Sequence, residues 1–190
     1  MAPIGQTGFN FTGAITLVRT PGGNNILIDT GVIPQRVALL NGLRAQRLVV
    51  ADIDYVMTTH GHPDHYSNIN LFPDAQQNFD KFAVNGYNYG FNALAQSQPM
   101  YVLNDRTLQM IQTPGHTPQD TSLLVTNAAQ YGTVGIVGDL FLNEGAAQDT
   151  SRASEQQKQS MKKVVCQVDW IVPGHGPMFQ TRQYRSNFGC

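Results

Sequence analysis

"MTTHGHPDHYSN", residues 57–68, decides how this chain is read. Three histidines and an aspartate fall within six positions, His60 to His65, directly after "DIDYVMTT", a run that reads as a short strand. His60 and His62 are two apart, so an extended backbone aims both in one direction. Asp64 and His65 follow as the turn reverses and reach past the first pair. Imidazole and carboxylate gathered in one turn are the chemistry of divalent metal binding.

Working outward, the chain supplies partners for that turn. The other two histidines are His116 in "TPGHTPQD" and His175 in "VPGHGP", both flanked by Pro and Gly after apparent strands. Asp139 in "IVGDL" also follows a strand. Every histidine is thus expected in a loop at a strand end, a distribution that ordinary core histidines would not show. His60, His62, Asp64, His65, His116, Asp139 and His175 offer enough ligands for two divalent ions with positions left for water. A carboxylate such as Asp139 can bridge two cations and offset their repulsion. Zinc suits this set best, and iron or manganese would also accept it.

The surrounding pattern is α/β. "AITLVRT" and "NNILIDTG" read as strands joined by a Pro-Gly-Gly-Asn turn. "PQRVALLNGLRAQRL" carries Leu39, Leu40 and Leu43 at helical spacing after Pro34. "SNINLF" reads as a short helix stopped by Pro73. Residues 78–99 are polar and give no clear period. "MYVLN", "TLQMIQT", "TSLLVTN" and "GTVGIVGD" read as strands. A helix over 154–168 places Met161, Val164, Val165 and Val168 on one stripe, and "WIVPGHG" is a last strand and loop. No linker or repeat appears, so residues 1–190 are expected to form one domain.

Composition narrows the function classes. Apolar residues make up 41% and charged residues 13%, which argues for a packed body rather than disorder. Net charge is −1, with no basic block to advertise nucleic acid. No apolar run is long enough to span a membrane, so no membrane role is expected. "MAPIGQTGFNFTG" lacks the form of a signal peptide and is compatible with the edge of a longer protein. Cys166 and Cys190 are too few for a disulfide framework, which points to a reducing compartment, the cytoplasm or nucleus. The sequon Asn10-Phe11-Thr12 weighs little against that.

The run from His60 to His65, followed by His116, Asp139 and His175, resembles the full signature of the metallo-β-lactamase superfamily, from about Thr12 to Arg185. The resemblance implies an αββα sandwich, two mixed sheets flanked by helices, with the metals at one edge. It implies that one ion takes His60, His62 and His116. The other takes Asp64, His65 and His175, with Asp139 bridging. Asp64 and Asp139 are then the catalytic carboxylates, acting with a metal-bridging hydroxide that attacks a carbonyl or phosphorus. Asp29 in "LIDTG" and Thr59 would orient the histidines from behind. "TTHGHPDHYSNINLFPDA", "TPGHTPQDTSLLV" and "VGDLF" resemble a branch of animal members associated with endoribonucleolytic processing of histone pre-mRNA 3′ ends.

The expected function is therefore that of a dinuclear metal-dependent hydrolase, a small endoribonuclease acting on single-stranded RNA. The alternative is a thioesterase or ester hydrolase of the glyoxalase II type, taking a small anionic thioester. A third possibility, from another class, is a metal-binding regulatory protein with little turnover. The cysteine that true β-lactamases carry at the second site is missing, and so are the extra domains of larger nucleases and of glutathione thioesterases. Sparse positive charge implies weak hold on RNA, so a partner or a homodimer is expected to help. "GYNYGF", with Tyr87, Tyr89 and Phe91, offers base-stacking groups, although such a run more often packs a long loop.

Overall fold

A computed structural model describes residues 12–95, 99–104 and 106–190. The sequon's Asn10 and most of the N-terminal segment lie outside the described residues. The first half of the chain builds one six-stranded sheet, in the order β1 (Thr16–Arg19), β2 (Asn25–Ile28), β3 (Tyr55–Thr58), β4 (Gln76–Phe79), β5 (Phe82–Asn85), β6 (Asn88–Phe91). The second half builds another, in which β7 (Met100–Tyr101), β8 (Leu108–Gln112), β9 (Thr121–Ala128), β10 (Gly132–Ile136), β11 (Trp170–Val172) and β12 (Phe179–Gln180) follow in order. Both sheets are mixed: β2–β3, β3–β4 and β10–β11 run parallel and the other neighbours antiparallel.

Each of two parallel pairs is joined through a helix, as a crossover requires. α1 (Arg36–Ala45) links β2 to β3, and α4 (Glu155–Val165) links β10 to β11. α1 follows a short 3-10 turn containing Pro34 and buries Leu39 and Leu43. α4 is capped by Ser154, whose hydroxyl accepts from the Gln157 amide at 3.1 Å. Glu155 lies in its first turn, and Lys162 and Lys163 lie in its last, complementing the helix dipole.

Strand alternation sorts the core into three layers. Ile26, Ile28 and Met57 face inward and meet Leu108, Met110, Leu123 and Ile136 of the second sheet. Leu27 and Val56 face outward onto Leu39, Leu43 and Phe72. On the other side, Leu124 and Ile171 face Met161, Val164 and Val165 of α4. Each such side chain, wholly removed from water, contributes roughly 1.5–3 kcal/mol. The architecture is the expected helix–sheet–sheet–helix sandwich.

Three local expectations are corrected. Residues 78–99, which show no period, contain the β5–β6 hairpin and the second half of β4. Tyr87, Tyr89 and Phe91 do not pack a loop: they stand exposed on that hairpin, with Phe82 stacked against Tyr89 and Phe91 at 5.5 and 5.3 Å between ring centres. The count of two cysteines argues against disulfides, yet Cys166 and Cys190 are joined, tying the end of α4 to the last residue. The inference of a reducing compartment from cysteine count therefore loses its footing. No helix among the described residues is long and apolar enough to cross a membrane.

Candidate metal centre

All seven ligand-type side chains converge where strands of both sheets end. His60 follows β3. His62 immediately precedes α2 (Pro63–Tyr66), which carries Asp64 and His65. Proline at the first position of α2 sacrifices no hydrogen bond, since that amide has no partner in the helix. His65 thus sits in a short helix rather than in a loop, and it is fully buried. His116 comes from the β8–β9 loop, Asp139 from a 3-10 turn after β10, and His175 from the loop after β11.

The side chains form two adjoining groups. Ligand atoms of His60, His62, His116 and Asp139 lie within 4.8 Å of one another, and so do those of Asp64, His65 and His175. His62 Nδ1 is 3.0 Å from His60 Nε2 and 2.9 Å from His116 Nε2. Asp139 stands between the groups. Its Oδ1 is 3.2 Å from Nε2 of both His65 and His175, while its Oδ2 is 3.3 Å from His116 and 3.8 Å from His60. Asp64 reaches His65 and His175 at 3.6 and 3.5 Å. Zinc–nitrogen bonds of ~2.1 Å would place tetrahedral ligand atoms roughly 3.4 Å apart, and these spacings bracket that value.

Two atoms test whether the residues fit such ions. His65 Nε2 and Asp139 Oδ1 are buried and, although 3.2 Å apart, are not oriented to form a well-aligned hydrogen bond, a costly state for buried polar atoms. Divalent cations would satisfy both. The donor set of imidazole and carboxylate, without thiolate, suits zinc, iron or manganese.

The electrostatics of the protein alone show how tightly these groups are coupled. Burial holds the His60 imidazole down to about 3, with neighbouring His65 acting the same way. Burial disfavours charge on His65 too. There, however, the close carboxylates of Asp139 and Asp29 prevail and push it up to about 10. Asp139 resists its own burial and is held well below the ordinary carboxylate range by His175 and His65. Burial lowers His116, while the Asp139 carboxylate 3.2 Å away raises His175.

Behind the ligands stands a layer that fixes their direction. Asp29, in a left-handed conformation (φ 58°) just after β2, accepts from the Thr59 amide and hydroxyl at 2.8 Å each and sits 2.8 Å from His65 Nδ1. Burial raises the Asp29 carboxyl against these contacts. The Thr59 hydroxyl also lies 3.2 Å from His60 Nδ1. His175 Nδ1 is 3.1 Å from the Thr12 carbonyl. Gly174 lies so close to Asp139 that a Cβ there would meet its Oδ1.

Two residues of this layer escape sequence reasoning. Buried Asp120 accepts from the amides of His116 and Thr117 at 2.8 and 2.7 Å and from the Thr117 hydroxyl, clasping the His116 loop. Thr117 therefore acts through Asp120. Buried Asn68 donates to the carbonyls of Thr30 and Val32, both at 2.9 Å, pinning α2 to the turn that carries Asp29. "TPQD" has the spacing of a side-chain-capped turn and is a usable signal for Asp120. Asn68 has no comparable signal.

A cavity of about 450 Å³ opens beside the centre. Its walls include His116 and Asp139, the apolar Leu142, Ala146 and Met161, and Arg152.

Comparison with known proteins agrees with this geometry. The family model of the metallo-β-lactamase superfamily matches residues 9–80. Metallo-β-lactamase domain-containing protein 1 of Xenopus laevis is 37% identical over 182 residues, covering 93% of this chain and 76% of the relative. An uncharacterized Caenorhabditis elegans protein is 32% identical over 188 residues, 94% of this chain, which spans about half (51%) of that relative's length. Among solved structures, a Thermotoga maritima protein assigned as a metallo-β-lactamase superposes with a TM-score of 0.65 at 19% identity, covering 88% of this chain and 95% of its own; it shares the fold. With the sandwich, the ligand-type residues at its edge and a frog relative matched over most of both chains, this chain belongs to the metallo-β-lactamase superfamily.

Proposed function

We propose that the chain is a dinuclear metal-dependent hydrolase whose substrate is a small anionic ester or thioester. The observation that carries this reading is the pair of ligand groups sharing Asp139 at the mouth of a cavity sized for a small molecule. His60, His62 and His116 would hold one divalent ion and Asp64, His65 and His175 the other, with Asp139 serving both. Ions bound there would polarise the substrate carbonyl and lower the pKa of water beside it. The protein's own part is orientation. Asp29 and Thr59 aim His65 and His60, Asp120 fixes the His116 loop, and the apolar wall of Leu142, Ala146 and Met161 excludes water from one side of the substrate. All five histidines face the centre, so a leaving group is left to take its proton from water or from Asp64.

The cavity favours a small substrate over a nucleic acid strand. Arg152 is the cation among its lining residues, and Asp139 and Asp149 line it too. A polyanion would need several cations along its path. The second reading, an endoribonuclease cutting single-stranded RNA with a partner or a second copy to hold the strand, is favoured by the exposed Tyr87, Tyr89 and Phe91 as stacking groups. A side-by-side assay of zinc-loaded protein on S-lactoylglutathione and single-stranded RNA separates the two. The expected result is thioester hydrolysis that disappears in His62→Ala. Salt-sensitive RNA cleavage that disappears in the same variant would install the second reading. Hydrolysis of neither would refute both substrate assignments.

A further inference from the structure

The cavity beside the centre is lined by two unlike polar pairs. One is His116 and Asp139, of the centre itself. The other is Asp149 and Arg152, from the loop between α3 (Gly145–Gln148) and α4. Asp149 closes α3 and accepts from the Ser151 amide at 2.8 Å. Arg152, in the same loop, lines the cavity. The Asp149 carboxyl, held low first by its bond from Ser151, stays ionised near the guanidinium. Among the described residues Arg152 makes no hydrogen bond and no ion pair within 4 Å, so its five N–H donors are uncommitted to protein. The lining also includes the apolar side chains of Leu142, Ala146, Ala153 and Met161.

We infer that Arg152 is the residue that selects the substrate: it takes a carboxylate or phosphate group at the far end of an acyl chain whose reactive carbonyl lies at Asp139 and His116. Three features converge on this. A planar guanidinium with free donors matches a carboxylate or phosphate in a two-pronged geometry that a lone ammonium lacks. The apolar lining suits a short hydrocarbon spacer. Asp149 keeps the local net charge near zero, so Arg152 recognises one anionic group by geometry and does not act as a diffuse basic patch. The substrate class is thus a small ester or thioester bearing a remote anion, and this inference rests on the hydrolase reading above.

The test uses zinc-loaded protein and two separate readouts. In the first, kcat/KM is measured for 4-nitrophenyl acetate and for the mono-4-nitrophenyl esters of succinate, glutarate and adipate. Wild type should prefer one chain length of the anionic series. Arg152→Ala should reduce the anionic-to-neutral ratio at least ~10-fold, the factor that corresponds to about 1.4 kcal/mol. Arg152→Lys should recover only part of it. In the second, which needs no turnover, NMR titration compares acetate with the free dicarboxylates. The dicarboxylate should bind more tightly than acetate, and Arg152→Ala should erase the difference. Because Arg152 lies on the surface, both variants should fold, which circular dichroism verifies. An anionic-to-neutral ratio unchanged by Arg152→Ala, with ester hydrolysis intact, would overturn the anchor and leave the hydrolase standing. Dicarboxylate selectivity that depends on Arg152 in a protein that hydrolyses no ester would keep the anchor and overturn the hydrolase.

Discussion

The centre has two walls built in opposite ways. One wall, His60 to His65, comes from six consecutive residues and includes four of the seven ligand-type side chains. The other, His116, Asp139 and His175, comes from three loops of the second sheet, separated in sequence by 23 and 36 residues, and exists only once β8 to β11 have paired. The difference teaches where each half of the site keeps its precision. The contiguous wall is aimed by Asp29, Thr59 and Asn68 of its own sheet. The dispersed wall depends on Asp120, on the Thr12 carbonyl and on the tight approach of Gly174 to Asp139.

Asp139 is where the walls meet, so its loss should produce the largest effect. Asp139→Ala should lower turnover by at least ~10²-fold, and metal analysis should find one ion or fewer per chain, with circular dichroism unchanged. Near-normal turnover in a folded variant would show that the two walls work independently.

Asp29→Ala strikes the contiguous wall alone. Removing a carboxylate that orients a ligand typically costs ~10–100-fold in metal affinity. Competition with a chelator should show this loss at the ion held by His65, with the other ion less affected. Equal loss at both would erase the distinction between the walls.

The dispersed wall is probed by Asp120→Asn, which keeps the shape but weakens the charge-assisted clasp on the His116 loop. A loss of about 10-fold in affinity for the ion held by His116 is expected by the same reasoning, read by the same competition. An unchanged affinity would mean that the loop holds itself without the carboxylate.

Metal-free protein offers a pH test of the contiguous wall. His65, ordinarily titrating near 6.5, is pushed up to about 10 in the fold. Its folded form binds the proton more tightly, so its contribution to stability is full below about pH 6.5 and is lost as pH rises through about 10. Chemical denaturation of chelator-treated protein should therefore show stability falling across that window, and His65→Gln should flatten the fall. The zinc-loaded protein should lack this His65 component, because a liganded imidazole has already given up its proton.

The smallest effect at the centre should come from the Cys166–Cys190 bond, remote from both walls. The double variant Cys166→Ser/Cys190→Ser should lose on the order of 2–4 kcal/mol of stability, measured by denaturant unfolding, while metal content stays at the wild-type value.

Much of this was legible in the sequence because it is local. The six-residue motif, the helical stripe of Met161, Val164, Val165 and Val168, and the strands rich in β-branched and apolar residues each announce themselves within one turn or a few residues. The hairpin at residues 82–91 was not legible, because its strands bury little and carry no alternation. Asn68 was hidden for another reason: its partners are backbone groups, and a backbone group leaves no mark on sequence, whereas Asp120 was marked only by the turn spacing of "TPQD". The disulfide was hidden because its two cysteines are 24 residues apart and meet only through the packing of the C-terminal turn on α4.

The hairpin has a practical consequence. β6 lies at the rim of its sheet, and Tyr89 and Phe91 on it are exposed. Such a rim lacks the lysines, prolines and bulges that discourage strand-to-strand adhesion between molecules. Purified protein should accordingly cloud or form higher-mass species as it is concentrated, and a lysine at position 89 or 91 should extend its shelf life while metal content stays unchanged, because both positions lie three strands away from β3.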